Sequence, residues 1–177
     1  MIKKFNKKAI IPIVLLLGTM TAIYLFSAQS GDDSNGVSHK VTRLFARLFF
    51  HEFDQMTVEQ QLFVVTGLNY FVRKLAHFSV YAFLGICSYS LFYLTEIKHA
   101  YLTAVLLCAI YSVLDEVHQF FTPGRSIKIG DMVIDTVGAA FGAAIAVVAV
   151  VLIRSAGLHF AHNRKRKFGG HNIDGRK

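Results

Sequence analysis

Eight polar residues stand where a hydrophobic chain has least reason to carry them: Arg73, Lys74, His77, Asp115, Glu116, Gln119, Arg125 and Asp131. They border or enter long apolar runs. Charge inside a membrane costs ~2.5–3.5 kcal/mol per residue on insertion scales and usually marks function. The three cations suit a phosphate or carboxylate. The acids and Gln119 suit hydroxyl and amide groups, and Asp115 or Glu116 with His77 could move a proton. Neighbouring residues on a helix diverge, so Asp115 and Glu116 would not normally share one substrate. His77, Asp115 and His118 could be read as a metal set, but their spacing matches no zinc pattern. No serine elbow, phosphate loop or HExxH motif is present, and no cofactor is expected.

Each residue also has a plainer role. Asp131 could cap a helix, and Asp135, one turn inside, would be favoured by the helix dipole. Asp115, Glu116, Asp131 and Asp135 could simply pair with Arg73, Lys74, Arg125 and Lys128 in a structural ion network.

Helical periodicity sorts these residues into stripes. Lys74, His77, Tyr81, Gly85 and Ser88 share one face of a helix. Tyr111, Asp115, His118 and Gln119 share another, with Glu116 about 100° further round. Asp131, Asp135, Gly138 and Gly142 fall in a third stripe. Its GAAFG segment is a small-xxx-small contact that admits a close neighbour.

The elements that carry the stripes are membrane spans. Of the 177 residues, 54% are hydrophobic and 17% charged, against about 25% charged in a soluble domain. Apolar runs at residues 9–26, 70–94, 101–121 and 131–153 are each long enough to cross a ~30 Å core. The expected fold is therefore all-α, a polytopic membrane protein with four transmembrane helices. A cleaved signal peptide is the rival for the first run, but FSAQS lacks a good A-x-A site. Residues 29–36 read as a polar loop. Val37, Val41, Leu44, Phe45, Leu48 and Phe49 then line one side of an amphipathic helix in the first external loop. That helix would lie on the membrane or pack on the bundle. Thr57 and Gln60 form a capping-box pattern, with a break expected near Gly67-Leu68-Asn69. Thr122-Pro123-Gly124-Arg125 reads as a turn.

The formal charge is +8. Twelve of the nineteen Lys and Arg residues lie in the terminal segments and the 95–100 link. The positive-inside rule makes both termini of this multi-pass cell-membrane protein cytoplasmic and turns the polar cluster outward. The domains would be a basic N-terminus (1–8), a membrane domain (9–153) and a basic, disordered tail (154–177). The charge placement suits membrane lipids rather than nucleic acid. Cys87 and Cys108 sit in apolar runs as packing or lipid-facing residues.

RKLAHFSVYAFLG (73–85) and DEVHQFFTPGRSIKIGDMVIDTVGAAFG (115–142) resemble the VanZ-like membrane proteins. The shared pattern is a basic-x-x-His start, an acidic-acidic-x-x-Gln-x-Phe stretch, a Pro-Gly-Arg turn and an Asp before a Gly-rich helix. FSAQSG after the first run is similar to the family's serine-rich segment. Asp135 departs from the asparagine more usual there. The resemblance covers about residues 24–142. It implies a link to resistance against teicoplanin-type glycopeptides, a property of the member that names the family. Some relatives are labelled phosphotransbutyrylases, but this chain has no soluble acyl-CoA or phosphate-binding domain.

The expected function is an extracytoplasmic polar site for an envelope lipid, a lipid-linked glycan or a lipoglycopeptide. The alternatives are a membrane-embedded enzyme acting on a lipid-linked substrate, with Asp115 or Glu116 as base and His77 as proton carrier, and a small transporter or flippase. A transporter of four helices would need to oligomerise to enclose a path.

Overall fold

The computed structural model describes residues 6–169, and the side chains among them other than 32, 33 and 158–169. Five α-helices follow one another: α1 (Ile10–Ser27), α2 (Gly31–Phe49), α3 (Val58–Leu94), α4 (Ala100–Phe120) and α5 (Ile129–Gly169). Single 3-10 turns at Lys7–Ala9 and Phe53–Gln55 precede α1 and α3. Among the described residues there is no strand. Four segments are long and apolar enough to cross a membrane: Lys7–Ser27, Val58–Leu94, Ala100–Phe120 and Ile129–Gly157.

Small residues set the packing. In lipid no hydrophobic force drives one helix onto another, so close backbone approach has to supply the contact. The stripe on α5 does this against α3: Gly138 rests on Phe78, Gly142 on Ala82, and Gly85 of α3 rests on Ala139. A methyl at any of the three would overlap the facing backbone. Around this seam a core of Leu16, Ile23, Tyr81, Leu84, Cys87, Cys108 and Ala139 ties in α1 and α4.

At ~1.5 Å per residue, the 37 residues of α3 extend for about 55 Å, well beyond a ~30 Å core. Its first turns carry α2. Ser38 and Thr42 donate to the side-chain oxygen of Asn69, and Ala46, Phe53 and Val65 are buried together beneath. The edge of α2 facing α3 is thus small and polar, while Val37, Val41, Leu44 and Leu48 stay exposed.

Three expectations need correction. Gly67 does not break α3, which is continuous from Val58 to Leu94. A mid-helix glycine costs only ~1 kcal/mol against alanine, and Asn69 spends its side chain on α2 instead of its own backbone. Residues 29–36 are not a loop throughout, because α2 starts at Gly31. The Gly31 N–H donates to Pro123 O at 3.0 Å, and its Cα side abuts Gly124 so closely that no other residue fits. The basic tail is helical as far as Gly169, since Lys and Arg are good helix formers and suit a C-terminal end. Residues 170–177 lie outside the described part.

Two local signals hold as read. Thr57 and Gln60 form the capping box of α3. Gly124 has φ +75°, and the Arg125 N–H bonds back to Thr122 O at 3.2 Å. That backbone suits glycine at the third position of a type II turn.

Candidate functional site

The α4–α5 turn carries Arg125 onto the end of α1. Its Nε donates to Gln29 O at 3.1 Å, Nη2 to Phe26 O at 3.2 Å and Nη1 to Gln119 Oε1 at 3.0 Å. Two acceptors are carbonyls at the C-terminal end of α1, where a cation is favoured by the dipole. Gln119 in turn donates to Ser27 Oγ and to Asp115 Oδ2, each at 3.1 Å. One chain of hydrogen bonds therefore joins α1, α4 and the turn. Arg73 approaches from α3 and donates to Asn35 Oδ1 at 2.6 Å.

Both guanidiniums are held by neutral oxygens, and among the described residues neither is in a salt bridge. Burial pushes Arg125 below its ordinary pKa, and the nearby Arg73 cation adds to this, while Asp115 and Glu116 act in the opposite sense. Arginine keeps its proton in proteins regardless. The arrangement brings two guanidiniums to one rim, with Asp115 and Glu116 near enough to act on Arg125.

These groups border a cleft of about 310 Å³ between α1, α2, α3 and α4. Ile23, Phe26, Val37, Val41, Val72 and Val80 supply apolar wall. Arg73, His77, Asp115, Gln119 and Arg125 supply polar groups, so five of the eight residues singled out by sequence meet on one cavity.

The other three stand behind it. Lys74 pairs with Asp131, which is at the third position of α5 and not at its cap. Glu116 accepts the Lys128 N–H at 2.7 Å through Oε2 and so fixes the start of α5, while its Oε1 is buried without a partner. His118, part of the metal reading, stacks on Tyr24 with ring centroids 4.5 Å apart. Among the described residues no three His, Cys, Asp or Glu side chains are grouped to hold a metal.

The eight-residue set omits three residues that matter here. Asp135 is fully buried, 3.2 Å from His77 Nδ1 through one oxygen and accepting the Ser112 hydroxyl at 2.8 Å through the other. Its place on the Asp131 stripe was a signal, but dipole stabilisation explained it equally well. Tyr81, on the His77 face, lines the cleft with a buried hydroxyl that lies beside the Ser112 hydroxyl. Ser27 lies in the FSAQSG segment and has no periodic signal of its own.

Four membrane-length helices with a charged cleft between them define a multi-pass helical membrane protein. The VanZ/LLP1 family model matches residues 12–152, and the chain belongs to that family. No curated protein and no solved structure matches it.

Proposed function

We propose that the protein binds an anionic amphiphile of the cell envelope in this cleft, at the outer face of the membrane. A lipid headgroup, a lipid-linked glycan or a lipoglycopeptide would present its anion to Arg73 and Arg125. Its chain would lie on the apolar wall toward α2. The observation that carries this is the two guanidiniums at the rim of a mostly apolar cavity, their acceptors among the described residues being neutral oxygens. Arg pairs of this kind are suited to phosphate and carboxylate. The exposed apolar face of α2, flanked by Lys40, Arg43 and Arg47, fits an anionic membrane surface. The outward orientation follows the Lys and Arg distribution, with both termini cytoplasmic. Membership of the VanZ/LLP1 family extends this to a contribution to teicoplanin-type resistance, through capture of the envelope component or of the drug.

The test is thermal unfolding of the purified full chain in detergent with hexadecyl phosphate, phosphatidylglycerol, lipid-linked glycan and teicoplanin. A true ligand at a hundred times its Kd stabilises by ~2.7 kcal/mol. Failure of every anionic member to raise the melting temperature, or an equal rise with neutral hexadecanol, would sink the proposal. Cells expressing the protein should also tolerate more teicoplanin than cells expressing Arg125→Lys.

A further inference from the structure

Binding alone gives no use to the imidazole on the cleft. His77 lines it, and its ring is fixed from behind: Nδ1 is 3.2 Å from Asp135 Oδ1. Asp135 is itself held by the Ser112 hydroxyl and has no access to solvent. A carboxylate accepting at Nδ1 makes that nitrogen the donor, so in the neutral ring it is Nε2 that carries the lone pair. The Lys74–Asp131 pair lies one turn further out on the same two helices. Asp115 reaches the cavity from α4, with Gln119 donating to one oxygen. The Tyr81 hydroxyl is a buried donor on this cavity, with the Ser112 hydroxyl beside it. One cavity thus gathers an imidazole held at Nδ1, a carboxyl, two guanidiniums and a buried phenol hydroxyl.

We propose that the cleft hydrolyses a phosphomonoester of a long-chain alcohol, with His77 as general base and Asp115 as general acid. The inference rests on the anion-binding reading above. Water attacks phosphorus, forming one P–O bond as the P–O bond to the chain breaks. Nε2 of His77 takes a proton from the water. Asp115, entering protonated, gives its proton to the departing alkoxide. The products are the long-chain alcohol and inorganic phosphate, and the proton on His77 returns to Asp115 through solvent. Arg73 and Arg125 stabilise charge on the phosphoryl oxygens, and Tyr81 donates to one of them. Asp135 is a positioning residue that acts through His77.

The plainer role for the His77–Asp135 contact is a tie between α3 and α5, and kinetics separates the two. The purified full chain is assayed in detergent for binding of hexadecyl phosphate and for release of inorganic phosphate from it. His77→Asn keeps a nitrogen near the Nδ1 position, able to donate to Asp135, but has no base at Nε2. The wild type is expected to bind and to release phosphate. His77→Asn is expected to bind equally and to lose turnover by on the order of a hundredfold or more. Asp135→Asn should lower kcat with KM unchanged, because the substrate does not touch it. Binding without phosphate release in the wild type overturns hydrolysis and leaves the binding proposal standing. Absence of binding overturns both. Equal turnover in His77→Asn and the wild type shows that His77 is not the base. Should His77→Asn fail to fold, the kcat and KM of Asp135→Asn decide, and a change in KM alone contradicts the positioning role.

Discussion

Gly142→Ala is the smallest change that tests how α3 and α5 meet. The added carbon would stand 2.6 Å from the carbonyl carbon of Ala82 and 2.8 Å from its Cα, and nearer still to its oxygen. Unstrained carbon contacts are about 3.5–4.0 Å, so the helices would have to separate by roughly 1 Å. Because the obstacle is backbone, no side-chain rotation relieves it. Overpacking of this kind costs ~1–3 kcal/mol, occasionally more, and the upper end is expected here. At about 2–4 °C per kcal/mol for a chain of this size, the melting temperature should fall by several degrees. The same seam holds His77 and Asp135, whose contact at 3.2 Å has little slack before it ceases to be a hydrogen bond. Gly18→Ala is the control, since beyond its own stretch of helix backbone nothing lies within 4 Å of its added carbon. There the change should be neutral or slightly stabilising, because alanine is the better helix former. The assay is thermal unfolding of both variants in one detergent. An unshifted Gly142→Ala, or equal losses in both, would refute the backbone-to-backbone seam.

Other outcomes follow from the same contacts. Lys74→Met leaves Asp131 buried and unpaired, so unfolding should cost ~3–5 kcal/mol less than in the wild type, and adding Asp131→Leu should restore much of it; a double-mutant cycle in detergent measures this. Arg125→Lys replaces a three-way fork by a single ammonium. It should weaken hexadecyl phosphate binding and loosen the α1–α4 junction, seen as faster hydrogen exchange at residues 27–29. Reporters fused at Lys98 and after Lys8 should read cytoplasmic and one at Asn35 external; an external signal at Lys98 contradicts the orientation.

The spans and the stripes were legible because one residue in each turn must face protein in a bundle, and that requirement writes a period into the chain. His77 and Tyr81 on α3, Asp115 and Gln119 on α4, and Gly138 and Gly142 on α5 were placed by counting alone. Partner choice was not legible. Balanced charge suggested a network of ion pairs, yet among the described residues only Lys74 takes a carboxylate from that set, on Asp131, apart from the His77–Asp135 contact. Arg125 takes carbonyls at the end of α1, because the turn delivers it there, and no one-dimensional pattern encodes that meeting. Lys128 enters through its backbone N–H rather than its charge. The start of α2 was missed for a related reason. Its sequence is rich in turn formers, and what admits a helix is the contact of Gly31 with Gly124, far away in the chain. Asp135 shows the limit most clearly: its stripe was visible, but its burial between His77 and Ser112 appears only once α3, α4 and α5 are assembled.

The most direct measurement is where a bound amphiphile lies. An alkyl phosphate with a photoreactive group in its chain is added to the purified protein in detergent, irradiated, and the labelled peptides are mapped. The expected labels fall on the cleft wall, at Ile23 and Phe26 of α1 and at Val37 and Val41 of α2, and are competed away by unlabelled hexadecyl phosphate but not by hexadecanol. Labels spread over lipid-facing positions such as Val148 and Val151, unaffected by the phosphate, would contradict a binding cleft.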